Sequence, residues 1–413
     1  MTDESDSNEC EAVGSPLVDR SFLDDVIDER DATGFVAVGG CDDDLRYLTG
    51  FDGPDSPSDQ YAYVRVAGAD VLCPPAASVA AAERQFDGEV RSDRLTDHPG
   101  ERAAAVLAKG ESGSGRADRR EERESRSTVI LVPPTIPHDA AVSLERAGYE
   151  LRSTTAVADA RATKTSAEVD AIRAVQRAAE RAVRRGERVL ATTEFGNIDD
   201  GDGNGGNGEL LWEGAPLTTE RLRREVNAEL ARCGVSGAEN TVVTVGAEHA
   251  AAGGVVHRDG AVVIDIAPRG PHGYHSHLSR TLVVDSDGGW ERRAYVASEA
   301  AIDAALGEVE PGADVDDVRR EATAELAAFG FDPRSGNDSN AEVVETVHGV
   351  GLSRRERPRS RSGASLESGV VLAVTPSVTD SERGSVRLSE LVVVTDDGYE
   401  RLDDGSRSFS PRE

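Results

Sequence analysis

The chain has 413 residues, of which 77 are acidic and 46 basic, giving a formal net charge of -31. A field of that sign repels phosphate backbones, so the composition speaks against a nucleic-acid partner. Hydrophobic residues make up 38% and aromatics 4%, so the cores must be built from Val, Leu, Ile and Ala, and the length allows two domains with a core each.

Only two of the bases are lysines, Lys109 and Lys164. An acid excess with so little lysine is the balance of a salt-adapted surface, which repels itself in dilute buffer and is screened at molar salt. Strong hydrophobic periodicity over most of the length argues against an acidic disordered chain. Cys10, Cys41, Cys73 and Cys233 have neither metal-type nor disulfide-type spacing and read as isolated thiols in a reducing compartment. No apolar run approaches the roughly 20 residues that span a bilayer. The acidic stretch Met1–Cys10 lacks the pattern of a secretory leader. The expectation is a cytoplasmic protein with no membrane partner.

In chain order, residues 1–16 read as a polar tail. Phe35–Val38, Ala62–Val66 and Val129–Pro133 read as strands, and Ala76–Gln85 and Asp139–Ala147 as helices, the alternation of an α/β domain over 17–160. Between Gly110 and Arg126 the composition collapses to Gly, Ser, Glu, Arg and Asp, so 110–127 is expected to be a loop. Thr165 with Glu168 forms a capping box ahead of Ile172, Val175, Ala179 and Val183 at helical spacing. A Gly/Asp/Asn loop fills 197–208, and a second helix is expected from Thr218 to Cys233.

The character then changes. Thr241–Val245, Val262–Ile266, Thr281–Val284, Val370–Val374 and Leu391–Val394 are β-branched runs. Helices are expected over Glu291–Leu306 and Val315–Phe329. This pattern predicts an α+β domain over 161–405 with a curved, mostly antiparallel sheet in two similar helix-plus-hairpin halves, followed by a tail, 406–413.

Several motifs fall in order: Tyr47-Leu48-Thr49-Gly50-Phe51; Arg161-Ala162-Thr163-Lys164; Asp265 closing a Val-Val-Ile-Asp strand; His277-Leu278-Ser279-Arg280-Thr281; His348-Gly349-Val350-Gly351-Leu352; Val374-Thr375-Pro376; and Arg387-Leu388-Ser389-Glu390. Together they resemble the M24 pita-bread metallopeptidases, among them Xaa-Pro aminopeptidase, prolidase, methionine aminopeptidase and creatinase. The acidic, lysine-poor composition resembles that of proteins from salt-loving archaea. The resemblance implies a creatinase-like α/β N-terminal domain, a pita-bread α+β C-terminal domain and a homodimer.

It also implies five ligands for two divalent cations, and this chain keeps two of them, Asp265 and His348. His277 stands for an aspartate, Thr375 for the glutamate that also serves as general base, and Ser389 for the second bridging glutamate. Glu390 is no substitute for that glutamate, because neighbours on a strand point to opposite faces. Two dications need the lost negative charge to offset their repulsion, so a two-metal site is not expected. His275 shares a strand face with His277. With His348 and Asp265 the pair could hold one divalent metal (Zn, Mn or Co), or all four could line a hydrogen-bonded cavity in which Asp265 pairs with a histidine.

On the substrate side, Arg355 replaces a histidine, and Arg355, Glu356 and Arg387 are pocket candidates. Glu356 could bind a substrate amine or belong to a salt-bridge rim with Arg355 and Arg357. Arg280 and Arg387 are expected to bond between strands. His249 and His257 are candidates for an upstream histidine, though neither spacing fits. Three functions remain open: an M24-like protein that binds a peptide, a protein or a small-molecule ligand without cleaving it, a hydrolase (peptidase or creatinase-like amidinohydrolase) with a rebuilt mononuclear or metal-free site, and an active dimetal Xaa-Pro aminopeptidase.

Overall fold

The computed structural model describes residues 18–40, 42–54, 59–92, 98–112, 128–196, 208–246, 253–331, 347–360, 362–403, 405 and 407–411. The expected tail 1–16 and most of the two expected loops lie outside the described residues, although helix α4 (Pro99–Ser112) runs into the start of the first loop. The chain divides between Arg161 and Ala162 into two compact units.

The first unit carries a six-stranded sheet of β1 (Gly34–Gly39), β2 (Tyr61–Val66), β3 (Ala69–Cys73), β4 (Glu89–Val90), β5 (Val129–Val132) and β6 (Glu150–Ser153), in the order β4-β3-β2-β1-β5-β6. Strands β1, β2 and β3 are antiparallel neighbours, whereas β1/β5 and β5/β6 run parallel. The Tyr47–Phe51 motif is the end of a helix, α2 (Asp43–Thr49). Asp42 caps its start by accepting from Leu45 N, and Gly50 closes it at φ 62°, a left-handed conformation that glycine adopts without strain. The buried Thr49 hydroxyl donates to Leu45 O and accepts from Phe51 N, which sets Phe51 edge-on to Tyr61.

The second unit opens with α7 (Ser166–Ala191), whose capping box is complete: the Thr165 hydroxyl accepts from Glu168 N and the Glu168 carboxylate accepts from Thr165 N. Helices α7 and α8 (Thr219–Arg232) pack together and share a core with a three-stranded antiparallel sheet of β10 (Thr241–Val245), β11 (Val262–Ile266) and β12 (Leu278–Leu282). Gly186 of α7 permits close approach, since a Cβ there would lie 2.7 Å from Ile264 Cδ1. A second pair, α9 (Trp290–Leu306) and α10 (Val315–Ala328), shares a separate core with β13 (Val347–Gly349), β15 (Val371–Val374) and β18 (Glu390–Thr395). Their antiparallel sheet is completed at its edges by β14 (Glu356–Arg359) and β19 (Gly398–Arg401), and β16 (Ser377–Asp380) pairs with β17 (Gly384–Arg387).

Two expectations need correction. The strand expected from Thr281 starts at Leu278, because the ladder with β11 already begins at Ile266↔Leu278. The stretch expected as a C-terminal tail packs on the core where it is described. Phe409 stacks edge-on against Tyr295 and its carbonyl accepts from Val283 N, while Arg407 pairs with Asp303 and Glu390.

Candidate functional site

Alternation along β11 sends Val262, Ile264 and Ile266 into the core and leaves Asp265 on the opposite face. Asp265 pairs with Ser279 of β12, so their side chains share that face, and His277, two residues earlier, joins them. Both oxygens of Asp265 are engaged. Oδ1 accepts from Ser279 Oγ at 2.5 Å and from His277 Nε2 at 3.0 Å, and Oδ2 meets Arg387 Nη1 at 2.9 Å. Burial would push this carboxyl up. The His277 hydrogen bond and charge, the Arg387 guanidinium and the Ser279 hydroxyl together outweigh burial and hold it well below the usual carboxylate range.

His277 stacks on His348, with ring centroids 5.4 Å apart and planes at 21°. His348 is 1% exposed. Its Nδ1 lies 3.2 Å from the Gly349 carbonyl, which can only accept, so Nδ1 carries the hydrogen. Burial first, and His277 second, push its pKa down to about 3. The neutral ring therefore presents Nε2 as a lone pair, and this buried atom has no hydrogen-bond partner among the described residues.

The substituted positions are built into the frame around these groups. Ser389 Oγ accepts from Ser279 N at 2.7 Å, and Ser389 N donates to Ser279 O at 3.1 Å. Thr281 Oγ1 donates to Arg387 O and accepts from Arg387 N, each at 2.8 Å. Arg280 donates to Ser389 O, a bond between strands. Arg387 also bonds between strands, its guanidinium reaching from β17 to Asp265 of β11. Glu390 pairs with Arg280 and Arg407, where burial and Asp403 raise its pKa to about 7. Thr375 is buried just beyond the end of β15.

His275 is buried, its Nδ1 3.1 Å from the Ala267 carbonyl and its N–H donating to Gly351 O. His257 sits in an isolated bridge to Glu209, and His249 lies outside the described residues. Glu356 is not a rim residue. It is buried and ion-paired with Lys164 at 2.6 Å, and its carboxylate fills the space where a Cβ on Gly351 would stand. Arg355 is exposed.

The donor set does not fit a pair of cations. At the positions where the resemblance places ligand carboxylates, Thr375 and Ser389 carry hydroxyls and His277 is turned to Asp265. Sequence reasoning missed two contacts here. Ser279 on Asp265 was legible in the two-residue spacing from His277. The Arg387 guanidinium on Asp265 depends on how β17 packs against β11, which no local pattern reveals.

Residues 170–396 match the model of metallopeptidase family M24. The chain belongs to that family. This M24 chain is 28% identical over 201 residues to an Xaa-Pro dipeptidase of Pyrococcus furiosus, a match covering 45% of this chain and 55% of that protein. It is 28% identical over 198 residues to an Xaa-Pro dipeptidase of Pyrococcus horikoshii, covering 45% and 54%. The sequence match thus spans about half the length of these curated relatives. In structure the chain is similar to the prolidase of Pyrococcus horikoshii, with TM-score 0.73 at 18% identity over 94% of this chain and 99% of that one. It is also similar to an Xaa-Pro dipeptidase of Bacillus anthracis, with TM-score 0.75 at 17% identity over 94% and 98%. The shared fold is an α/β N-terminal domain followed by a pita-bread domain. No helix among the described residues is long and apolar enough to cross a membrane.

Proposed function

We propose that this M24 protein binds Xaa-Pro-type peptides at the Asp265–His277–His348 face and does not hydrolyse them by a two-metal mechanism. The observation that carries this reading is the internal engagement of Asp265: a hydroxyl and an imidazole take one oxygen and a guanidinium the other. With Thr375 and Ser389 in place of glutamates, neither the bridging anions nor the general base of a dinuclear centre is available. Peptide as the ligand class is inferred from the relatives named as Xaa-Pro dipeptidases. The test is calorimetric titration of Xaa-Pro peptides into protein held in chelator and high salt, followed by chromatography of the mixture. Saturable binding with intact peptide is expected, and absence of binding would overturn the reading.

A second reading rests on the His277 imidazole, oriented by Asp265 beside the Nε2 lone pair of His348. With its pKa pushed down to about 3, His348 is too weak a base to take a proton from water near neutral pH, so the metal-free base in this reading is His277. Peptide cleavage that persists in chelator and vanishes in His277→Gln would favour it.

A further inference from the structure

We propose that Arg280 is a positioning residue that ties the Asp265 face to a buried acid pair, Glu390 and Asp403, so that peptide affinity falls when the pair loses its proton. The inference rests on the peptide binding proposed above and adds its regulation by pH.

Alternation along β12 puts Ser279 and Thr281 on the Asp265 face and Leu278, Arg280 and Leu282 on the other. Arg280 is thus a charged side chain between two core leucines, 2% exposed. Its guanidinium faces two ways. Nη1 donates to Ser389 O at 2.7 Å and to Ser279 O at 3.1 Å. Nη2 lies 3.5 Å from Asp403 Oδ2 and 3.7 Å from Glu390 Oε1. The two carbonyls belong to the residues that frame the site, since Ser389 Oγ accepts from Ser279 N and Ser279 Oγ donates to Asp265. One side chain therefore joins the backbone beneath the ligand face to the acids behind it.

The acid pair is enclosed by other charges. Arg407 Nε meets Glu390 Oε1 at 2.9 Å, Arg407 Nη2 meets Asp303, and Gln176 Nε2 donates to Asp403 Oδ2 at 3.3 Å. Glu180 and Glu187 of α7 lie near Arg280, and Tyr295 and Glu299 of α9 lie near Arg407. Burial, then Asp403, raises Glu390 to about 7. Burial also raises Glu187 and Glu299.

Stability alone does not call for such a cluster, because well-packed apolar residues often replace buried ions without loss. The distances suit a part that moves. Charge-assisted contacts close to about 2.7–2.9 Å, so both acids stand back from Nη2 while the carbonyl bond to Ser389 is already short. With a proton on the pair, one negative charge faces two guanidinium groups and Arg280 rests on the carbonyls. Loss of the proton adds a second negative charge, draws Nη2 towards the carboxylates and lengthens the Nη1 bonds. The Ser279–Ser389 frame then loosens beneath Asp265. By linkage, bound peptide raises the proton affinity of the pair by the same factor.

The test is calorimetric titration of an Ala-Pro peptide into the full chain in fixed molar KCl, on both sides of the Glu390 value. As pH rises, the wild type should lose about threefold more affinity than Glu390→Gln, which corresponds to a shift of about half a pKa unit on binding. Titration of every other group, the peptide amine included, is common to both proteins, so the difference isolates Glu390. Asp403→Asn removes one cause of the raised value and should move the fall to lower pH, whereas a merely structural role would lower affinity equally at every pH. Arg280→Lys keeps the charge but cannot span carbonyls and carboxylates together. It should flatten the profile, with circular dichroism confirming its fold. Parallel profiles of the wild type and Glu390→Gln, or a midpoint unmoved in Asp403→Asn, overturn the coupling and leave the proposed function standing. Absence of peptide binding at every pH overturns the two together.

Discussion

Lys164 Nζ lies 2.6 Å from Glu356 Oε1, with the lysine side chain 1% exposed and the glutamate 9%. One of the two lysines in an arginine-rich chain thus sits in a buried ion pair that ties the start of α7 to β14 and backs the Gly351 turn against His275. Lys164 also donates to Ala162 O at 3.0 Å, a use of the compact ammonium that a planar guanidinium does not reproduce.

Breaking that pair leaves one uncompensated buried charge. Lys164→Met or Glu356→Leu alone should cost about 3–5 kcal/mol, and the double variant should cost clearly less than the sum. Urea denaturation at constant KCl measures this. Strict additivity of the two losses would show that the pair does not act as a unit.

Glu390 gives a pH signature. Its folded pKa is raised to about 7 from 4.5, through burial first and Asp403 second. A raised carboxyl binds its proton more tightly in the folded state, so its contribution is fully present below about 4.5 and is lost as pH rises through about 7. Relative to the wild type, Glu390→Gln should therefore gain stability as pH rises across this window, with a slope of at most about 1.4 kcal/mol per pH unit. A wild-type-to-variant difference that does not change with pH would contradict it.

The acid excess predicts a salt requirement. Lowering ionic strength from about 1 M to about 0.1 M lengthens the screening distance from about 3 Å to about 10 Å. The helical circular dichroism signal should then fall, and the melting temperature should drop with KCl. A melting temperature independent of salt would show that surface repulsion does not limit this fold.

Much of this arrangement was legible in the sequence because it is local. The Thr165–Glu168 box, the alternation of β11 and the two-residue spacing of His277 and Ser279 each encode geometry within a few residues. The alternation around Ser389 and Glu390 is equally local, and Glu390 pairs with Arg280 and Arg407 while Ser389 bonds Ser279. The rest depends on distant partners. Nothing near Glu356 announces Lys164, and nothing near Arg387 announces Asp265. The segment around Arg407 and Phe409 reads as a polar tail until Tyr295, Asp303 and Glu390 are brought beneath it by α9 and β18.

Metal stoichiometry follows from the ligand count. Elemental analysis after exposure to zinc, manganese or cobalt should find at most one tightly held ion per chain, because too few carboxylates remain for a second. Restoring His277→Asp, Thr375→Glu and Ser389→Glu should raise the number towards two. The Ser389 change should also cost about 1 kcal/mol, since it removes the acceptor for Ser279 N. Two ions in the unmodified protein would contradict the count.

The most direct test of the central claim is Xaa-Pro dipeptide hydrolysis by the purified full chain in high salt with added manganese or cobalt, run beside an intact M24 dipeptidase. On the proposed assignment of His277, Thr375 and Ser389 to three of the family's five ligand positions, turnover should stay at the level of the metal buffer while the intact enzyme cleaves. Metal-dependent turnover comparable to that of the intact enzyme, abolished by chelator, would contradict the account.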